Sequence, residues 1–147
     1  MIALTKIFHF EMAHAIHGYE GSCKNVHGHS YELHVSVTHS SISEDNYIPA
    51  PGMIMDFKEL KRLVNSLVLK RFDHRLLLSE EYLKVNKAFA LHENLFATEA
   101  EPTVENMLLY IRCQLQKELP IGIKLTALKL YETNSSYAEW IDASIIK

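Results

Sequence analysis

Cysteine is scarce in this chain, and long apolar runs and an excess of positive charge are missing. Only Cys23 and Cys113 occur among 147 residues, too few for a disulfide framework. With no export signal at the start, they read as reduced thiols. The opening Met1-Ile2-Ala3-Leu4-Thr5-Lys6 lacks the charged, apolar and small-residue order of a signal peptide. No apolar run approaches the roughly 20 residues that cross a bilayer. Lys and Arg number 15 against 18 Asp and Glu, for a formal net charge of -3, so the basic stripe of a nucleic-acid binder is absent. Internal repeats and low-complexity linkers are missing as well. These absences leave one expectation: a single cytoplasmic domain over residues 1–147, long enough to close a hydrophobic core, acting on neither nucleic acid nor membrane.

Histidine, by contrast, is plentiful, with nine in the chain. Their positions matter more than their number. Over Thr5 to His14, the residues Phe8, Phe10, Met12 and His14 share one parity, which in a strand puts them on one face. From His29 onward, Tyr31, Leu33, Val35 and Val37 alternate with Ser30, Glu32, His34, Ser36 and Thr38, the period of a sheet with one wet face. Residues 40–52, with Ser, Asp, Asn, Pro and Gly, read as a loop. Asp56 with Glu59 resembles a capping box, and Phe57, Leu60, Leu63, Val64, Leu67 and Val68 follow at helical spacing. Pro102-Thr103 opens a second helix carrying Val104, Met107, Leu108, Ile111 and Leu115 up to Pro120. Two strands, about 124–132 and 137–144, flank a hairpin turn at Thr133-Asn134-Ser135-Ser136. The order strand, strand, helix, helix, strand, strand predicts an α+β domain with helices on one sheet face.

Chemistry concentrates at the end of the first strand and the start of the second. His27-Gly28-His29 places two imidazoles on one side of an extended chain, close enough to share a tetrahedral cation. Gly28 leaves room for close approach of the backbone. If the two strands are antiparallel neighbours, His14 converges on the pair. Three protein ligands with an open fourth position describe a catalytic zinc site. Cys23, four residues before His27, is either a fourth ligand closing a structural site or a base or nucleophile beside an open one. Asp73-His74 is a carboxylate positioned to orient an imidazole, or a plain pair at a helix end. Glu132, at the end of its strand, suits a guanidine-like ring edge with two parallel donors, or simply faces solvent. His9, His17, His34, His39 and His92 read as surface or packing residues, and Cys113 as structural.

In chain order, Phe10-Glu11-Met12-Ala13-His14, Cys23-x-x-x-His27-Gly28-His29, Asp73-His74, Pro102-Thr103-Val104-Glu105-Asn106 and Tyr131-Glu132-Thr133 resemble the 6-pyruvoyltetrahydropterin and 6-carboxytetrahydropterin synthase family. The likeness runs along nearly the whole chain. It implies a tunnelling fold, ββααββ: a four-stranded antiparallel sheet with two helices on one face. It further implies a homotrimer or homohexamer with active sites between subunits. By that resemblance, His14, His27 and His29 hold Zn2+. Cys23, Asp73 and His74 are catalytic, Glu132 with Thr133 binds the pterin ring, and the substrate is 7,8-dihydroneopterin triphosphate. The spacing of Cys23 from the histidine pair looks like the carboxytetrahydropterin enzymes of queuosine (7-deazaguanine) biosynthesis. The pyruvoyl enzymes of the tetrahydrobiopterin route typically place more residues there, and they form the alternative. Residues 79–101 are longer than the family's segment and read as an insert. Two rivals of another class are a non-catalytic zinc protein with Cys23 closing the site, and a pterin-binding module without turnover.

Overall fold

A computed structural model describes residues 2–43 and 45–145 of the chain. The alternating pattern of the first half forms two long strands, β1 (Leu4–His14) and β2 (His27–His39). They pair antiparallel in a register that sets Phe10 opposite Tyr31, Met12 opposite His29 and His14 opposite His27. On β2 follow β5 (Ile123–Thr133) and then β6 (Ser136–Ile141), each antiparallel to its neighbour. These four strands are the antiparallel sheet that the sequence predicts.

The sheet does not stop there. Arg75–Ser79 forms β3, which pairs parallel with the end of β1 at Met12, Ala13 and His14. Leu95–Thr98 forms β4, parallel to β3. The complete order is β4-β3-β1-β2-β5-β6, a six-stranded mixed sheet rather than a four-stranded antiparallel one. The physical reason lies in β3. Leu76, Leu77 and Leu78 are all buried, because both faces of this strand are covered, and a run covered on both faces loses the period of two. Residues 79–101, read as an insert, supply the helix α3 (Glu80–Val85), a 3-10 turn and β4. They extend the sheet.

Helix α1 (Phe57–Val64) runs on through a π-helical turn, Asn65–Leu69, into α2 (Lys70–Phe72). Asp56 starts it by accepting from the Lys58 backbone N–H at 2.8 Å. Helix α4 (Val104–Glu118) begins where the Thr103 hydroxyl accepts from the Asn106 N–H at 3.3 Å. The apolar stripes of α1 and α4 cover one face of the sheet, where Leu60, Val64 and Ile111 meet Phe10, Leu33 and Leu130. The short α3 packs elsewhere. Its Tyr82 joins Ala15, Leu76 and Leu78 in a second cluster, so the helices do not all share one face. By strand parity, Ala13 and Leu76 point away from the side that carries Met12, His14 and Leu77. No helix of the described residues is long and apolar enough to cross a membrane.

Candidate metal centre

Strand register alone brings three imidazoles together. His14 closes β1, His27 opens β2 opposite it, and His29 lies two residues further on the same face. One ring nitrogen of each lies within 4.8 Å of the other two. At Gly28, between the last two, a Cβ would meet the Met12 carbonyl oxygen at 3.3 Å, a tight contact that a larger residue relieves only by a small shift of the strands. The site is therefore built on paired backbone, which holds donor atoms more tightly than a loop.

Backbone carbonyls decide which ring nitrogens face one another. His14 Nδ1 lies 2.7 Å from the Pro102 carbonyl and His27 Nδ1 lies 2.8 Å from the Asn25 carbonyl. A carbonyl only accepts, so each Nδ1 carries the proton and each Nε2 is left with a bare lone pair. Those two Nε2 atoms are 3.1 Å apart. His29 Nε2 is buried and makes no hydrogen bond. Burial is the largest cause pushing the pKa of both His14 and His29 below the ordinary imidazole range, so they stay neutral. Lone pairs at this spacing repel unless a cation lies among them. The donor set, the fixed tautomers and the orphaned nitrogen all fit a zinc ion held by three histidines.

Glu132 joins this group. The β2–β5 register, with Leu33 opposite Leu130 and Glu32 opposite Tyr131, brings Glu132 level with Tyr31 on the helix-covered face. Its Oε1 lies 3.4 Å from His14 Nε2 and 3.6 Å from His29 Nε2. Tyr31 forms the floor, its ring 5.6 Å from His29 and stacked on Phe10 at 5.1 Å. The Tyr31 hydroxyl is buried without a hydrogen-bond partner. Burial, and then the Glu132 carboxylate, push its pKa above the usual tyrosine range. Sequence reasoning placed Tyr31 only in an apolar stripe. The one signal there was a phenol set between His29 and the aliphatic run Leu33, Val35 and Val37.

Cys23 sits in a single 3-10 turn, Ser22–Lys24, within the β1–β2 connection. Its carbonyl accepts from the Ile16 N–H at 2.9 Å, which folds the turn back toward His14. It is half-buried and close enough to Tyr31 to count, last and least, among the causes that raise the phenol's pKa. Thr133 lies further out. It is exposed, and its hydroxyl accepts from the Ser135 N–H at 3.4 Å in the β5–β6 turn.

Asp73 and His74 are not brought to the three histidines within one chain. Asp73 Oδ1 accepts from the Glu11 N–H at 3.0 Å, and the His74 N–H donates to the Glu11 carbonyl at 2.7 Å. This clamp holds His74 at a φ of 59°, in the left-handed region, with its side chain 79% exposed. His74 borders a cleft of about 550 Å³ together with Glu11, Ala13, Ser30, His92 and Asn94. Glu11, Ala13 and Ser30 have the parity opposite to that of His14 and His29, while Met12 and His29 also border the cleft, so it lies mainly, not wholly, on the other face of the sheet.

Comparison with known proteins gives concordant matches. Residues 3–142 match the family model described as 6-pyruvoyl tetrahydropterin synthase. The chain is 30% identical over 146 residues to a 6-carboxy-5,6,7,8-tetrahydropterin synthase of Haemophilus influenzae, covering 95% of this chain and 99% of that protein. It is 33% identical over 117 residues to a 6-pyruvoyl tetrahydrobiopterin synthase of Pongo abelii, covering 79% and 68%. Its fold superposes on the 6-pyruvoyl tetrahydropterin synthase of Caenorhabditis elegans with a TM-score of 0.67 at 23% identity, over 97% of this chain and 96% of that one.

Proposed function

The chain belongs to the 6-pyruvoyl tetrahydropterin synthase family, and from that membership we propose that it is a zinc-dependent 6-carboxy-5,6,7,8-tetrahydropterin synthase. With one water it converts 7,8-dihydroneopterin triphosphate to 6-carboxytetrahydropterin, acetaldehyde and triphosphate, a step of queuosine biosynthesis. The observation that carries the reading is the convergence of His14, His27 and His29, with two Nε2 lone pairs left bare by backbone carbonyls. A purely structural centre would need neither the neighbouring Cys23 nor the clamped Asp73-His74 pair.

His14, His27 and His29 would hold the zinc ion, which supplies Lewis-acid polarisation of the substrate's side-chain oxygens. Glu132 accepts two parallel hydrogen bonds from the amino-pyrimidine edge of the ring, with Thr133 next to it. Cys23 removes a side-chain proton as general base. His74, oriented by Asp73, passes protons from the opposite side. Within one chain Asp73 and His74 bond to Glu11 and not to the three histidines, so the working pair comes from a neighbouring subunit of a homotrimer or homohexamer.

The pyruvoyl reaction is the second reading, favoured by the likeness to the Pongo abelii enzyme. Mass spectrometry of products from 7,8-dihydroneopterin triphosphate separates the two. The reading expects 6-carboxytetrahydropterin and acetaldehyde, both lost in Cys23→Ala. Formation of 6-pyruvoyltetrahydropterin would replace the reaction and keep the site. Ring binding without turnover would turn the chain into a binding module.

A further inference from the structure

The carboxylate of Glu132 faces two imidazole nitrogens that offer it no proton. Its Oε1 is 3.4 Å from His14 Nε2 and 3.6 Å from His29 Nε2. His14 Nε2 cannot donate to it, because the proton of that ring is engaged at Nδ1 by the Pro102 carbonyl. His29 Nε2 makes no hydrogen bond either. Its side chain stays 28% exposed, and the Tyr31 hydroxyl is the donor nearby.

Spacing gives a reason for its place beside the imidazoles. Bonds of about 2.0–2.2 Å from a tetrahedral zinc ion to nitrogen and oxygen ligands put neighbouring ligand atoms about 3.3–3.6 Å apart. The separations here are 3.1 Å between His14 and His27, 3.4 Å between His14 and Glu132, and 3.6 Å between His29 and Glu132. The two Glu132 distances match edges of such a shell, the His14–His27 pair is closer, and the three histidine nitrogens lie within 4.8 Å of one another. Charge points the same way. Three neutral imidazoles leave both positive charges of the ion unbalanced beside a buried apolar floor, whereas one carboxylate cancels half. The Tyr31 hydroxyl, buried on the adjacent strand and close to the Glu132 carboxylate, is a donor available to the second carboxylate oxygen.

We propose that Glu132 is the fourth protein donor of the metal centre in the substrate-free enzyme, and that an arriving pterin ring draws it off. The second half rests on the function proposed above. One carboxylate then serves two partners in turn. A ring edge with two parallel donors competes for Glu132, and the position it leaves admits the side-chain oxygens of that same molecule. A ligand without such an edge leaves the metal closed. Discrimination thus arises before any bond is broken.

The test uses the full-length protein loaded with cobalt as a visible probe of coordination, together with zinc affinity measured against a chromophoric chelator. Glu132→Gln preserves shape, and Glu132→Asp preserves charge while shortening the reach. Both are expected to weaken zinc binding at least tenfold without any pterin and to change the cobalt absorption bands. 7,8-Dihydroneopterin is expected to shift the wild-type bands and leave those of Glu132→Gln in place. Zinc affinity within twofold of wild type in both variants, with unchanged bands, overturns the donor assignment. Full affinity in Glu132→Asp alone overturns it too, since charge without reach would then suffice. Wild-type bands that stay fixed when dihydroneopterin binds overturn the exchange. Turnover reports separately. An inactive protein with Glu132-dependent bands loses the proposed reaction but keeps the donor, and an active one with Glu132-independent bands does the reverse.

Discussion

Replacing His74 by glycine should make the protein more stable and less active. The residue sits at φ 59°, a conformation that costs an L-residue roughly 1–2 kcal/mol. Glycine adopts it freely but gives up about 0.5–1 kcal/mol through its larger unfolded-state entropy. The His74 side chain is 79% exposed, so its removal forfeits almost no packing. The net gain is about 0.5–1 kcal/mol. For 147 residues, an unfolding entropy of about 2.1 cal/mol/K per residue gives about 0.3 kcal/mol/K, and the melting temperature should rise by about 2–3 °C. His74→Ala keeps the strained backbone and should melt within about 1 °C of wild type. Both variants should lose roughly 10²–10⁴ in turnover, the usual contribution of a general acid–base group. Calorimetry of the three proteins, with parallel assays, checks this. Equal melting of the glycine and alanine variants would refute the strain argument, and full turnover in either would remove His74 from the chemistry.

Gly28→Ala should weaken zinc binding about tenfold while costing only about 1 kcal/mol of stability. The added Cβ meets the Met12 carbonyl at 3.3 Å and must displace β2 where two ligands sit, and second-sphere disturbances typically cost 10–100-fold in affinity. Chelator competition measures the first effect and thermal melting the second. The pH dependence of metal-free stability follows from His14 and His29, whose folded pKa values burial lowers below the unfolded value of 6.5. Between the folded and unfolded values the unfolded chain binds more protons, so their contribution is complete above pH 6.5 and is lost as pH falls through that window. Urea titrations of the metal-free protein between pH 7.5 and 5 should show this decline, and it should shrink in His14→Gln. A metal-free protein whose stability stays flat over that range would contradict the burial argument.

Much of the fold was legible because its long elements face water on one side. β1, β2, α1 and α4 each carry a strict apolar period, and Asp56 and Thr103 cap the helices that their positions predict. β3 escaped because Leu76, Leu77 and Leu78 are covered on both faces and show no alternation. β4, four residues long, is too short to show a period at all. Without those strands, residues 79–101 looked like an insert and α3 had no sheet to pack against. At the site, His14, His27 and His29 could be brought together from strand parity and one assumption about pairing. The position of Glu132 against them could not, because it depends on the β2–β5 register, which no local pattern encodes. His74 was visible as half of an Asp-His pair, but its left-handed backbone and its place across the sheet come from the clamp to Glu11.

The central claim is that this triad of imidazoles holds a zinc ion on which the chemistry depends. Native mass spectrometry of chelator-stripped protein, before and after one equivalent of zinc, tests it directly when turnover of 7,8-dihydroneopterin triphosphate is followed on the same samples. The reloaded protein should carry one zinc per chain, His29→Ala should retain none, and turnover should disappear on stripping and return with the metal. Full turnover by stripped protein, or one tightly held zinc in His29→Ala, would contradict it.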